Sequence, residues 1–280
     1  WDAKVQEMAA LGLKYIVLMA TALDYKAFYR TKIFPPWEIA TADPLEVLLA
    51  AADRAKMQVF IGGGFFGTWD SPHILDDLDA RRRRLMAIGE IGANYAHHAS
   101  FSGWYWPNEA EIKGHFADNF IGYVNECSAE ARKVTPKALT MIAPYGTRHV
   151  ADDDRYVQQL DQMDIDIVAY QDEVGVEKTQ VAETAGFFET LRRLHNRAAR
   201  AKLWADVEIF ISEGKVYHTA LLPAPIERIT AQLQQVAPYV DTILVYQYLG
   251  LMSQPGGTAF AGHPTAGQLH DNYAAWLRSH

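Results

Sequence analysis

The chain has 280 residues, and 26 Lys and Arg against 34 Asp and Glu give it a net charge of −8 at pH 7. With 49% hydrophobic and 21% charged residues, it has the composition of an ordinary globular protein. The acidic balance argues against a partner such as duplex nucleic acid, which needs clustered Lys and Arg. The longest apolar run, Tyr15 to Leu23, is too short for a membrane span.

Helix-like and strand-like patterns alternate along the chain, as in a parallel sheet covered by helices. The first helix runs from Trp1 to a stop at Gly12, and Asp43, Pro44 and Glu46 form the best helix start. The predicted strands are Tyr15 to Ala20, Gln58 to Gly62, Gly103 to Trp106, Ala138 to Ala143, Ile165 to Tyr170, Leu203 to Ile209 and Thr242 to Tyr246. The remaining predicted helices are Pro44 to Lys56, Ile74 to His97, His115 to Lys133, Ala151 to Met163, Glu183 to Ala201, Pro225 to Val236 and Ala266 to Arg278.

Seven strands and eight helices, beginning with a helix, predict an α/β fold: a (β/α)8 TIM barrel. We expect residues 1–280 to form a single barrel domain whose first strand is missing from the front of this sequence, so that the observed strands are the second to the eighth. A doubly wound open sheet is the structural alternative. Gly62 to Gly67 matches its dinucleotide fingerprint, but a loop rather than a helix follows, which favours glycines at a strand end.

The only basic run, Arg81 to Arg84, follows three aspartates. On a helix, Asp77 with Arg81 and Asp79 with Arg83 are spaced as i,i+4 ion pairs, so we predict a solvated helix face. The single cysteine, Cys127, lies in an apolar helical pattern and is predicted to be buried.

The chemistry of a barrel takes place at the carboxyl ends of its strands. In this chain those ends carry aromatic side chains, carboxylates and a few other polar groups, which suit a sugar because its C–H faces pack on rings and its hydroxyls bind planar polar groups. The predicted carbohydrate-binding residues are Trp69, Trp104, Trp106, Asn108, Tyr145, Arg148, Gln171, Asp172, Glu173, Trp204, Asp206, Tyr246, Gln247 and Tyr248. Interior packing is the alternative for each aromatic residue.

Cleavage of a glycosidic bond needs one protonated and one ionised carboxyl group. Glu109 follows Trp104, Trp106 and Pro107, an apolar setting that suits an acid. Period-two alternation places Glu208 on one strand face with Trp204 and Asp206. Glu208 is the predicted nucleophile, held ionised if Arg148 approaches or if Asn108 and Tyr246 donate hydrogen bonds.

Trp106-Pro107-Asn108-Glu109 after the fourth barrel strand and Trp204 to Glu208 on the seventh resemble the large barrel clan of retaining glycoside hydrolases. The resemblance implies that Glu109 is the acid/base and Glu208 the nucleophile. The chain as a whole resembles an uncharacterised bacterial family of glycoside-hydrolase-like barrels, a domain of unknown function, through Gly103 to Glu109, Ala169 to Gly175, Ala205 to Phe210 and Val245 to Ser253. The chain departs from the pattern of the clan at two places. An Asp172-Glu173 pair ends the sixth strand, and either residue could replace Glu208 as the partner of Glu109. After the eighth strand, where the clan has Trp, this chain has Tyr246 or Tyr248.

Two other functions stay open. The first is a metal-dependent sugar isomerase or lyase, in which Asp172, Glu173, Asp206 and Glu208 hold a divalent cation and the loop histidines His149, His218 and His263 are the plausible imidazole ligands. The second is a barrel that binds carbohydrate without catalysis. For the hydrolase we expect no cofactor and no metal, and export to the periplasm or the medium, because polysaccharides are found there.

Overall fold

The computed structural model describes residues 1–67 and 73–279, so the predicted sugar-binding residue Trp69 lies outside the described residues. The chain divides into two compact units. Unit 1 comprises Trp1–Ala110, His115–Ala143 and Gln158–Ile167, and unit 2 comprises Glu111–Gly114, Pro144–Val157 and Val168–His280.

Unit 1 contains four strands of a parallel sheet, in chain order: β1 (Tyr15–Leu18), β2 (Gln58–Gly62), β3 (Phe101–Tyr105) and β4 (Leu139–Ile142). Tyr15 pairs with Gln58, and Gly103 pairs with Leu139. Its helices are α1 (Asp2–Ala10), α2 (Pro44–Ala55), α3 (Leu78–Tyr95) and α4 (Asp118–Val134). A short hairpin of Ala22–Leu23 and Lys26–Ala27 was not predicted, because two-residue strands give no periodic signal.

Unit 2 contains β5 (Ile167–Gln171, whose first residue belongs to unit 1), β6 (Lys202–Glu208) and β7 (Thr242–Tyr246), again in chain order. β6 and β7 are parallel, with Glu208 opposite Tyr246. In the barrel count used above, β3 is the fourth strand and β6 the seventh. The later helices are α5 (Asp154–Gln162, which crosses the unit boundary), α6 (Val181–Ala198), α7 (Ile226–Val236) and α8 (Thr265–Ser279).

The predicted signals at the ends of the helices are confirmed. The Asp43 side chain accepts a hydrogen bond from the Glu46 backbone N–H at 3.2 Å, and Pro44 opens α2. Gly12 follows α1 with a φ of +79°, a conformation that glycine adopts without steric cost. At the end of β2, a Cβ on Gly62 would lie 2.2 Å from the Met19 carbonyl oxygen, so this glycine permits a close approach of two strand ends.

One of the two ion pairs predicted in the basic run is present. Arg83 and Asp79 pair at 2.6 Å. The pairing of Asp77 with Arg81 was wrong, because Asp77 is the N-cap of α3 and accepts hydrogen bonds from the backbone N–H groups of Asp79 and Ala80. Arg81 instead binds Glu126 of α4, at 2.7 Å from Nε to Oε1.

In unit 2, a chain of buried hydrogen bonds joins α5, β5 and α6. The hydroxyls of Tyr156 and Tyr170 lie 3.0 Å apart, and the Tyr170 hydroxyl lies 3.1 Å from His195 Nε2. His195 Nδ1 lies 3.0 Å from the carbonyl oxygen of Ala201. Burial lowers the pKa of His195 to about 4, so the ring is neutral near pH 7.

Cys127 is buried, as predicted, and burial raises the pKa of its thiol to about 12, which suppresses the nucleophilic thiolate. Within the two described ranges, the helices include none with the length and apolar character needed to cross a membrane.

Candidate active site

In unit 1, the aromatic residues at the end of β3 point into the protein interior. Trp104 and Trp106 are 0% and 1% exposed and stack at 5.9 Å between ring centroids. The Trp104 indole N–H donates to Thr135 Oγ1 at 2.8 Å, and that of Trp106 donates to Ser128 Oγ of α4 at 3.0 Å. Interior packing, the alternative to sugar binding, therefore describes both side chains in this structure.

Replacing Trp104 by Ala is expected to lower the free energy of unfolding by about 3–5 kcal/mol, because a large buried side chain is lost and leaves a cavity. Urea denaturation measures the change. Leu78→Ala is the control, because Leu78 is 74% exposed and its truncation should change stability by less than about 0.5 kcal/mol. A loss below about 1 kcal/mol for Trp104→Ala would contradict the packing role.

The predicted acid and its neighbour differ in burial. Asn108 is 6% exposed, and its backbone N–H lies 3.5 Å from the Tyr123 hydroxyl. Glu109 is exposed. The apolar setting predicted from the sequence neighbours of Glu109 was wrong, because Trp104 and Trp106 face α4 and leave this residue in contact with solvent.

In unit 2, Glu208 is the last residue of β6 and is 5% exposed. Its Oε2 accepts a hydrogen bond from the Val176 backbone N–H at 2.8 Å, and the Gly175 N–H also donates to this carboxylate. A Cβ at Gly175 would lie 2.9 Å from Oε2, so the loop approaches the carboxylate this closely only with glycine. The sequence analysis did not predict these backbone donors to Glu208.

A second buried carboxylate, Asp172, fixes the backbone around Glu208. Its Oδ1 accepts from the Glu208 backbone N–H at 3.1 Å, and its Oδ2 accepts from Gln232 Nε2 at 2.6 Å. Gln232 and Arg228 of α7 also donate to the Glu208 carbonyl oxygen, at 3.1 and 2.9 Å. Both backbone groups of Glu208 at the end of β6 therefore have hydrogen-bond partners: Asp172 binds the N–H, and α7 binds the carbonyl oxygen.

Burial, together with the charges of Asp172 and Asp206, raises the pKa of Glu208 to about 8, against the hydrogen bonds from the Val176 and Gly175 N–H groups, which lower it. Burial also raises the pKa of Asp172 to about 6, against the hydrogen bonds from Gln232 and two backbone N–H groups. At neutral pH, Glu208 is therefore the more protonated member of this pair.

This shift predicts a stability that depends on pH. Between about pH 4.5 and 8 the folded protein keeps a proton on Glu208 that the unfolded chain releases, so the free energy of unfolding falls as pH rises. Glu208→Gln is expected to remove this slope and to be more stable than the original protein by a few kcal/mol near pH 9, because each pKa unit corresponds to about 1.4 kcal/mol. Denaturation near pH 5 and pH 9 measures the slope.

Glu189→Gln, at an exposed position of α6, serves as the control and should leave the slope unchanged. Equal slopes for Glu208→Gln and the original protein would show that the pKa of Glu208 is not raised.

Glu173 has a different partner from its neighbour. It is 1% exposed, and its Oε2 accepts hydrogen bonds from the Gly146 and Thr147 backbone N–H groups, both at 3.0 Å. Lys178 Nζ lies 3.7 Å from Oε1. Glu173 therefore caps the short 3₁₀ turn Thr147–His149, which the sequence did not predict.

The acids proposed to share a cation point in different directions. Asp172 faces Gln232, Glu173 faces the turn at Thr147, and Glu208 faces the N–H of Val176. This division of partners disfavours a common metal ion. Arg148 donates to the Lys178 carbonyl oxygen at 2.8 Å and to His149 Nε2 at 3.0 Å, so it joins two loops instead of pairing with Glu208 as predicted.

The other predicted sugar-binding residues differ in accessibility. Trp204 and Tyr248 are 3% and 7% exposed, which favours packing for both. Lys178 Nζ lies 5.0 Å from the Tyr145 ring centroid, a cation–π contact. The partly or fully exposed residues, which a ligand can reach, are Tyr145, Arg148, Gln171, Asp206, Tyr246 and Gln247.

The sequence analysis did not identify Arg228 and Gln232. Both contact the Glu208 backbone, and they are spaced i,i+4 on α7, the spacing of one helix face. That spacing, on the helix after the strand that carries Glu208, is the signal by which they could have been found.

Solved structures that resemble this chain share its fold at low sequence identity. A protein from Bacteroides thetaiotaomicron VPI-5482, provisionally assigned as an alpha-L-fucosidase, has a TM-score of 0.80 at 18% identity, covering 99% of this chain and 86% of that one. The endo-beta-1,4-mannanase from Thermotoga petrophila has a TM-score of 0.65 at 12% identity, with coverages of 99% and 73%. The beta-galactosidase from Bacillus circulans sp. alkalophilus has a TM-score of 0.67 at 9% identity, with coverages of 99% and 53%.

At these identities the likeness shows the fold alone, an α/β barrel of the (β/α)8 type that these glycoside hydrolases share, as predicted. Residues 1–259 match the family described as Domain of unknown function (DUF4434), and the chain belongs to this family. The predicted resemblance to an uncharacterised family of glycoside-hydrolase-like barrels is confirmed. No curated protein sequence matches the chain.

Proposed function

We propose that this protein is a retaining glycoside hydrolase that acts on an oligosaccharide or polysaccharide, with Glu109 as acid/base and Glu208 as nucleophile. The observation that carries the proposal is the position of Glu208, at the carboxyl end of β6 with its carboxylate held by the Val176 N–H at 2.8 Å. Preorganised donors are what a glycosidase needs around the carboxylate that attacks the sugar. The fold shared with glycoside hydrolases supports the same function.

In this mechanism the ionised form of Glu208 attacks the anomeric carbon and forms a glycosyl-enzyme as the glycosidic bond breaks, while Glu109 gives its proton to the leaving oxygen. Glu109 then takes a proton from water, which attacks the anomeric carbon and releases the sugar with its original configuration. Asp172, Gln232 and Arg228 are positioning residues, because they hold the backbone of Glu208.

One observation favours a second assignment of the same two residues. The raised pKa of Glu208 keeps it protonated at neutral pH, whereas Glu109 is exposed to solvent. A buried, protonated carboxyl group is the usual form of the acid. In this assignment Glu208 is the acid/base and Glu109 the nucleophile.

The test is hydrolysis of a panel of aryl glycosides and oligosaccharides by the purified protein, with Glu208→Gln purified in the same way as the control for contaminating enzymes. Activity on at least one substrate that is lost in the variant supports the proposal, and NMR of the first-formed anomer tests retention. In a crystal with a bound inhibitor, a separation of about 5–5.5 Å between the two carboxyl groups supports retention, and about 6.5–9.5 Å indicates inversion.

The non-catalytic carbohydrate-binding barrel is the alternative function, and the solvent exposure of Glu109, which lacks the apolar setting that suits an acid, favours it. Glycan binding that persists in Glu109→Gln, with no turnover by the original protein on any substrate, would support binding and exclude the hydrolase.

A further inference from the structure

We propose that Glu46, His97 and His98 form a binding site for a divalent transition-metal ion in unit 1. One ligand atom from each residue lies within 4.8 Å of the other two. Glu46 Oε2 and His98 Nε2 are 3.0 Å apart, and the His97 and His98 rings lie 4.3 Å apart between centroids. The site is independent of the proposed hydrolase residues.

Glu46 occupies the third position of α2, where a glutamate commonly reaches back to the N-cap backbone. The Glu46 backbone N–H donates to the side chain of the N-cap Asp43, as is usual at a helix start. The Glu46 side chain, however, points at His98 instead of at the N-cap backbone. The carboxylate is thus placed for a partner outside its helix.

The orientation of His98 is fixed by a second carboxylate. His98 is 8% exposed, and Asp53 Oδ2 accepts from its Nδ1 at 2.7 Å. Asp53 is itself held by the Ser100 backbone N–H, which donates to Oδ1 at 2.7 Å. A carboxylate on one ring nitrogen of a histidine, with the other nitrogen left for the metal, is the usual support of a metal-binding histidine.

The donor set selects the class of ion. Two imidazole nitrogens and one carboxylate oxygen suit Zn²⁺, Co²⁺, Ni²⁺ or Cu²⁺, whereas Mg²⁺ and Ca²⁺ prefer oxygen ligands throughout. His97 is exposed and Glu46 half-buried, so water can complete the coordination and the ion can exchange. Because Glu46 lies in α2 and the histidines follow α3, a bound ion would join these two helices.

The experiment uses the untagged protein after treatment with a chelator, titrated with Zn²⁺ by calorimetry and with Co²⁺ by absorption. We expect one equivalent of either ion to bind, Zn²⁺ to raise the melting temperature, and Mg²⁺ to have no effect. His97→Gln should weaken Zn²⁺ binding at least about tenfold without changing the melting temperature of the metal-free protein, because the contacts of His98 with Asp53 and Glu46 remain.

Two further variants complete the test. Asp53→Asn should weaken binding by about 10–100-fold through the orientation of His98. His218→Gln, at an exposed histidine of unit 2, is the control and should bind as the original protein does. The proposal is overturned if Zn²⁺ does not bind saturably, if His97→Gln binds it unchanged, or if His218→Gln loses it. In those cases Asp53 and Glu46 form only ion pairs with His98.

Discussion

Glu208→Ala is expected to reduce turnover of the best substrate by about 10⁴-fold or more, the effect seen when a covalent catalyst is removed from an enzyme. Azide should then restore activity on an aryl glycoside, because it occupies the space of the missing carboxylate and attacks the anomeric carbon directly. The glycosyl azide formed should have the opposite anomeric configuration to the substrate, because only one displacement takes place. NMR of this product measures the result.

Glu189→Ala is the matched control for this experiment. It removes an exposed glutamate from α6 and should keep full activity. Azide rescue of Glu208→Ala with retained configuration would contradict its role as nucleophile and support the assignment in which Glu208 is the acid/base. Turnover within tenfold of the original protein would exclude Glu208 from catalysis altogether.

Glu109→Ala is expected to show a loss that depends on the leaving group. Hydrolysis of an oligosaccharide should fall by about 10²–10⁴-fold, because the leaving oxygen no longer receives a proton. An aryl glycoside with an acidic phenol needs little protonation, so its glycosyl-enzyme should still form. Azide should then accelerate turnover and give a product of retained configuration, because two displacements have taken place.

The role of Glu109 is tested by the ratio of the rate loss on the oligosaccharide to the rate loss on the aryl glycoside. Glu111→Ala is a nearby control, since Glu111 is bound to Lys113 at 2.9 Å near the surface and should affect neither substrate strongly. Equal losses on good and poor leaving groups would remove the acid/base role. An azide product of inverted configuration from Glu109→Ala would make Glu109 the nucleophile.

The sequence predicts the elements of this fold well, because the signals are local. The N-cap at Asp43 and the glycine after α1 depend on residues that are neighbours in the chain. The position of Glu208 at a strand end likewise follows from one apolar run. Each of these features could be derived from about ten consecutive residues.

The side-chain environments could not be predicted in the same way. Trp104 and Trp106 were predicted to bind sugar, but a parallel strand is apolar on both faces, so the sequence pattern does not say which side chains meet a helix. The side chain of Asp77 had two available partners, a backbone N–H group and Arg81. The choice between them depends on which residue begins α3, and Asp77 is its N-cap. The raised pKa of Glu208 depends on its burial in the folded chain and on the charge of Asp172, which is 36 residues away in the sequence.

The hydrogen bonds among Tyr156, Tyr170, His195 and Ala201 have a direction. A carbonyl oxygen only accepts, so the neutral His195 ring carries its hydrogen on Nδ1 and its Nε2 must accept from the Tyr170 hydroxyl. The Tyr170 oxygen then accepts from Tyr156. One arrangement of the three hydrogens therefore satisfies every group while the ring is neutral, and protonation of the imidazole would make the Tyr170 hydroxyl accept from Nε2 and donate to Tyr156 instead. While His195 is neutral, the hydrogen bonds therefore all run in one direction, from Tyr156 in α5 through Tyr170 in β5 to His195 in α6 and the Ala201 carbonyl oxygen.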